Sequence, residues 1–327
     1  MHVGIEYSRV GVTLNPRIKW LTIITSAGMF IVLLAGALVT KTNSGRGCGD
    51  DWPLCNGKFI PAYTLESMLE YSHRAVSGIV GILVLITAIV IYRAYGRRSE
   101  PFVHAMGALL FTIIQAILGA MAVKWEQSSA VMALHFGFSL LAFSFTLLLV
   151  LSVSAKRSIA AYTTDELPNA SFTKKLWAIT AYSYIVVYIG AFVRHTESSS
   201  GCTGWPLCNG EVIPSQLEGP VAIAFFHRIA ALILFVLIVW IGFHAWRKYG
   251  RLTALARPAV AAAVLVCVQV LSGAWIAVVL GQDQVYIFAS LLHTTVISAL
   301  FAVLCYLSIR SWQLQREARL RDAKQVR

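Results

Sequence analysis

Eight apolar stretches, each long enough to cross about 30 Å of hydrocarbon as a helix of roughly 20 residues, constrain this chain more than any other feature. They run near Trp20 to Thr40, Tyr71 to Tyr92, Pro101 to Val123, Met132 to Ser154, Lys175 to Val193, Val221 to Ala245, Ala256 to Val279 and Val285 to Ser308. Lipid offers no water to a backbone, so such stretches must close their own hydrogen bonds and read as α-helices. Hydrophobic residues at 57%, charged residues at 13% and a mean hydropathy of +0.70 exclude an ordinary soluble domain. The first stretch follows a polar 19-residue head without a cleavage site, which predicts a retained helix rather than a signal peptide.

The chain also repeats itself. Gly36-Ala37, Cys48, His73-Arg74 and Gln115 with Gly119-Ala120 reappear as Gly190-Ala191, Cys202, His227-Arg228 and Gln269 with Gly273-Ala274, each pair 154 positions apart. A constant offset through helices and loops alike signals a duplicated structural unit. The expected fold is therefore an all-α integral membrane protein, with eight transmembrane helices arranged as two tandem four-helix bundles. An even number of helices separates the copies, so they share one orientation and a pseudo-twofold axis along the membrane normal. The expected divisions are a head over 1–19, a first bundle over 20–155, a linker over 156–174, a second bundle over 175–309 and a basic, helical tail over 310–327.

A net charge of +12 could suggest nucleic acid, but the distribution of the 27 Lys and Arg argues for membrane topology instead. On the side of the head, linker and tail there are 20, and on the other side 5, with Arg74 and Arg228 at the expected helix starts. Both termini are thus predicted to be cytoplasmic, with the loops over 41–69 and 194–220 outside the cell.

Each of those loops carries a cysteine pair around the same words, Cys48-Gly-Asp-Asp-Trp-Pro-Leu-Cys55-Asn-Gly and Cys202-Thr-Gly-Trp-Pro-Leu-Cys208-Asn-Gly. An oxidising face favours the disulfides Cys48–Cys55 and Cys202–Cys208. A metal site or a redox-active dithiol competes, although neither loop offers the further matched His or Cys that a tetrahedral site needs. Cys267 and Cys305, within helices, read as buried small apolar residues.

Depth sorts the eight histidines. His2 lies in the head, His104 and His244 at inner helix ends, and His195 in an outer loop. His73, His135, His227 and His293 begin the second, fourth, sixth and eighth helices at what reads as one depth. A single intramembrane histidine commonly serves as a helix-to-helix hydrogen bond. Two per four-helix unit, on alternate helices, can instead approach an iron from both axial sides. Zinc or copper held by two imidazoles alone would be under-coordinated in a dry bundle, whereas a haem brings its own nitrogens. Small residues around these positions let helices part around a flat macrocycle, or simply pack closely. Arg74 and Arg228 can pair with propionates or snorkel to headgroups.

One charged difference between the copies stands beside a histidine. Glu70 precedes His73 by three and so shares its helix face, while the equivalent position 154 residues on is Ala224. An acid beside one presumed haem and not the other suits proton transfer in the first copy; the bland alternative is a helix N-terminal acid favoured by the dipole.

Gly-Ala-Leu-Val-Thr-Lys-Thr at 36–42, the two Trp-Pro-Leu-Cys words, Glu70-Tyr-Ser-His73-Arg74, Ala-Leu-His135-Phe-Gly, His227-Arg228 and Leu292-His293 together resemble the haem A synthase family of the Gram-positive type, from about Trp20 to Ser308. The resemblance implies an oxidoreductase that converts the C8 methyl of haem O to a formyl group in a bacterial cell membrane. It implies haem O as substrate between His73 and His135, a haem B cofactor between His227 and His293, and Glu70 as catalytic acid or base. Cys48 and Cys55 then matter for the reaction directly or structurally. Haem O synthase, oxidase assembly factors and an electron acceptor are the implied partners beside the lipid bilayer. The rival readings are a di-haem b-type electron carrier, which would set its haems at two depths, and a haem-free transporter built from repeats.

Overall fold

The computed structural model describes residues 15–125, 128–154, 166–250 and 252–325. The expected head up to residue 14, most of the linker and the last two residues lie outside them. The chain divides into two compact units, Met1–Lys156 and Arg157–Arg327. Among the described residues, eight helices are long and apolar enough to cross a membrane. They are α1 Pro16–Lys41, α2 Leu65–Tyr95, α3 Glu100–Lys124 and α4 Ser129–Ser154 in the first unit, and α5 Ala170–His195, α6 Gly219–Tyr249, α7 Thr253–Val278 and α8 Asp283–Gln325 in the second.

Local chemistry sets several of these ends. Asn15, Thr64, Ser99 and Asn169 each accept an N–H of the first turn of the helix they precede, and Pro16 and Pro101 stand at early positions where no N–H is missed. Gly96, at φ 74°, ends α2. Within each unit the helices form a closed ring: α1 packs on α2, α2 on α3, α3 on α4 and α4 back on α1, and α5 to α8 repeat the circuit. The second and fourth helices of each unit therefore stand at opposite corners.

Because lipid tails are as apolar as leucine, burial alone does not draw these helices together; small residues and hydrogen bonds between side chains contribute. Thr25 and Thr87 share a 2.7 Å bond between α1 and α2, and Thr146 reaches Ser26 from α4 at 3.4 Å. In the second unit Thr173 pairs with Ser311 and Thr180 with Ser308, both at 2.8 Å, tying α5 to α8. Trp20, Ile24, Ile79, Leu110, Leu232 and Leu271 are exposed, a lipid-facing outer surface.

The structure corrects several sequence boundaries. α2 starts at Leu65 rather than near Tyr71, so Glu70, His73 and Arg74 lie within the helix and not at its first turn. The extra turns arise because Thr64 supplies a cap seven residues before the apolar run begins. The second bundle likewise starts early, at Ala170 within the expected linker, behind the Asn169 cap. α8 continues unbroken from Asp283 to Gln325, so the basic tail is the end of that helix. Cys267 is exposed on α7 rather than buried; a small thiol facing lipid loses nothing by it.

Candidate functional site

The loop after α1 is built to fold back on α2. Cys48 and Cys55 are bonded, as are Cys202 and Cys208, so the sulfurs pair with each other and the loops hold disulfides rather than dithiols or metal ligands. The repeated Asn-Gly is a two-residue turn: Asn56 and Gly57 take φ 51° and 75°, Asn209 and Gly210 take 55° and 85°, and bridges Cys55–Lys58 and Cys208–Glu211 close it. Positive φ at both positions is what Asn-Gly tolerates best.

A further matched pair escapes motif reading although the same offset of 154 contains it. Gly47 and Gly201 press against the first turns of α2 and α6 so closely that a Cβ would stand 2.4 Å from backbone atoms of Glu66 and Pro220 respectively. The Gly47 carbonyl accepts from Ser67 Oγ at 2.5 Å and from Asn56 Nδ2 at 3.3 Å, which fastens the loop to the helix.

Glu70 is central to that fastening. Its side chain is buried at 4% exposure. One carboxylate oxygen accepts the Cys48 backbone N–H at 2.8 Å and the other accepts Arg74 Nη2 at 2.5 Å. Arg74 Nη1 donates to the carbonyls of Asp51 at 2.7 Å and Leu54 at 2.8 Å. Glu70 and Arg74 thus hold both ends of the disulfide loop. In the second unit Ala224 leaves Arg228 to do this alone, donating to Cys202 O at 2.6 Å and Leu207 O at 2.9 Å. Both guanidinium groups that sequence reading offered to propionates are engaged with loop backbone.

The four histidines are brought to glycines. A Cβ on Gly36 of α1 would stand 3.1 Å from Cε1 of His73, and one on Gly190 of α5 2.8 Å from Cε1 of His227. On the other side, Gly119 of α3 and Gly273 of α7 lie beneath His135 and His293 at 3.8 and 3.2 Å. The repeated Gly-Ala words are thereby explained: each imidazole of the second and fourth helices occupies space that the neighbouring helix vacates.

Depth holds for one pair and shifts for the other. His73 and His227 are each the ninth residue of their helices, whereas His135 is the seventh of α4 and His293 the eleventh of α8. The offset between the latter two is 158, and since the loops before α4 and α8 are equally long, the four extra residues form one additional turn of α8. About 3.6 residues make a turn, so the face is kept.

The shift alters what surrounds the ring. Gln115 of α3 donates to the His135 carbonyl at 2.8 Å and accepts from Ser139 Oγ at 2.8 Å. Its counterpart Gln269 instead places Nε2 2.8 Å from His293 Nε2, and Ser272 Oγ lies 2.8 Å from His293 Nδ1. In the first unit Ser77 stands 3.5 Å from His73 Nδ1, and the equivalent position in the second is Ala231. His227 Nδ1 is buried without a hydrogen-bond partner. Sequence reading missed Ser272 and Gln269 because neither is charged or part of a motif; Gln269 was visible only as a member of the repeat.

Paired imidazoles on opposite corners of a bundle, each seated over a glycine, fit a haem: two neutral axial donors from the protein and four nitrogens from the macrocycle. Fold and site together define a multi-pass membrane protein of histidine-bearing four-helix bundles. More particularly, the chain belongs to the COX15-CtaA family of cytochrome oxidase assembly proteins, whose pattern it matches over residues 19–305. It is 41% identical over 290 residues to the haem A synthase of Halalkalibacterium halodurans, covering 87% of this chain and 93% of that protein. The haem A synthase of Geobacillus kaustophilus is 41% identical over 304 residues, 91% and 93% of the two chains, and that of Bacillus licheniformis 42% over 299, 90% and 95%.

Proposed function

We propose that the first bundle receives haem O between His73 and His135 and that the second holds a haem B cofactor between His227 and His293. The chain is an oxidoreductase, a haem A synthase acting in cytochrome oxidase assembly. The reaction we assign is oxidation of the C8 methyl of haem O to a formyl group. The observation that supports this division of labour is the pair Glu70 and Ala224: both units carry two histidines seated over glycines, and among the described residues only the first adds a buried acid.

A haem in the second bundle supplies one-electron redox chemistry. The other roles fall to the chain's own groups. His73 and His135 would hold and orient the haem O substrate; if both ligate its iron, dioxygen has no place there, which favours water as the oxygen source. Each hydroxylation by water removes electrons and protons from the methyl carbon together, so a base must stand near; successive hydroxylations give a geminal diol that loses water to the aldehyde. Glu70 is that base. To accept a proton it gives up the Arg74 or the Cys48 contact, which couples proton transfer to the seating of the disulfide loop. The electrons pass to an acceptor outside the chain. We place the termini in the cytoplasm and the disulfide loops outside, as the Lys and Arg distribution supports.

Co-expression with a source of haem O, followed by acid extraction and mass analysis, tests the reading. The formyl product should form only when this chain is present; unchanged haem O would refute it.

A further inference from the structure

The hydrogen bonds around His293 assign its tautomer. Gln269 Nε2 can only donate, so the His293 Nε2 that it meets at 2.8 Å accepts and carries no proton. The proton of the neutral ring is then on Nδ1, pointing to Ser272 Oγ at 2.8 Å. Ser272 has one proton of its own and donates it to the Gln269 carbonyl at 2.9 Å, which leaves the hydroxyl oxygen an acceptor toward the ring. The chain of donors closes consistently: ring to serine, serine to backbone, amide to ring. It leaves Nε2 unprotonated, its lone pair accepting from Gln269; once that one-ended amide swings away, Nε2 is the atom that reaches a metal, with Nδ1 engaged behind it. Gln269 Oε1 is buried without a partner, so this amide is held at one end only, unlike Gln115, whose two ends are both bonded.

The arrangement belongs to the second unit. Ser272 immediately precedes Gly273, the glycine beneath His293, and the residue in the same place before Gly119 is Leu118, which has no hydrogen-bonding group.

We propose that Ser272 is a positioning residue of the second site, which presets His293 as a ligand through Nε2 and, by accepting its Nδ1–H, makes the imidazole a stronger donor that holds the bound haem toward its oxidised form. A partner on the far nitrogen of a metal-bound histidine fixes ring orientation and raises ligand basicity, and stronger axial donation favours the ferric state. Leu118 in the first unit supplies no such bias, so the two sites differ in potential by construction. This rests on the reading that the second bundle carries a haem.

Redox titration of the purified full-length protein, followed by its haem absorbance, tests the idea. Losing such a partner costs about tenfold or more in metal affinity; with a tenfold loss falling on the ferric state, Ser272→Ala should raise the haem potential by ~59 mV for one electron, while Ser272→Thr, which keeps the hydroxyl, should return it to the wild-type value. A wild-type potential in Ser272→Ala with haem still bound would overturn the proposal and leave the haem reading intact. If Ser272→Ala and Ser272→Thr shifted equally, the effect would be one of packing and the proposal would fall. Absence of any haem band from the wild-type protein would instead refute the underlying assignment. Should Ser272→Ala prove unstable, Ser272→Cys serves in its place: a weaker acceptor of similar size, it should give a smaller rise in the same direction, and an unchanged potential would count against the proposal.

Discussion

Removing the Glu70 carboxylate tests whether it seats the disulfide loop as well as serving the reaction. In Glu70→Ala the Cys48 N–H loses its 2.8 Å acceptor and Arg74 Nη2 loses its ion-pair partner. A hydrogen bond to a charged group contributes about 1.5–3 kcal/mol. Arg74 keeps its two loop carbonyls in the variant, so the Cys48 bond is the cleaner measure. Taking ~2 kcal/mol for that bond and ~1.4 kcal/mol per factor of ten, the Cys48 amide should exchange with deuterium roughly 30-fold faster in the variant. Exchange mass spectrometry in detergent reads this peptide directly, and the Cys202 peptide is the internal control, since Ala224 stands where the first unit has Glu70. Conversion of haem O should stop while the second-unit haem band remains. Unchanged exchange at Cys48 would refute the clamp, and full conversion would remove Glu70 from the mechanism.

Other consequences follow from the glycines. Gly190→Ala would bring a Cβ 2.8 Å from His227 Cε1 and should displace that ring, so the variant should lose most of its haem absorbance, whereas Gly78→Ala, with nothing within 4 Å, should not. Gly47→Ala would place a Cβ 2.4 Å from α2 backbone that cannot yield; overpacking of this kind costs about 1–3 kcal/mol and should appear as a lower melting temperature of the detergent-solubilised protein. Thr25→Val removes the bond to Thr87 between α1 and α2 and should destabilise by only about 0.6 kcal/mol, the usual scale for such pairs in membrane helices, measured by unfolding in mixed micelles.

The number of helices was legible because each lipid-crossing segment must be apolar for some 20 residues, a signal that needs no partner to be read. Their starts were less so: α2 gains its first turns from the Thr64 cap and a polar stretch that hydropathy passes over. The histidines and the unmatched Glu70 stood out by subtraction of one copy from the other. What subtraction could not supply was where the side chains go. Glu70 shares a face with His73 on helical spacing, yet its two oxygens turn to Cys48 and Arg74, because a buried carboxylate must find donors and the loop brings an amide within reach.

From the sequence alone came the duplicated helical membrane architecture, the cysteine pairs and the four histidines, all of which rest on local composition or on a fixed interval along the chain. Only the tertiary structure decided that each imidazole lies over a glycine of the neighbouring helix, that Arg74 and Arg228 fasten loops, and that one extra turn of α8 brings His293 to Gln269 and Ser272. Such contacts join residues tens of positions apart, and only the closed ring of helices brings them within a few ångströms.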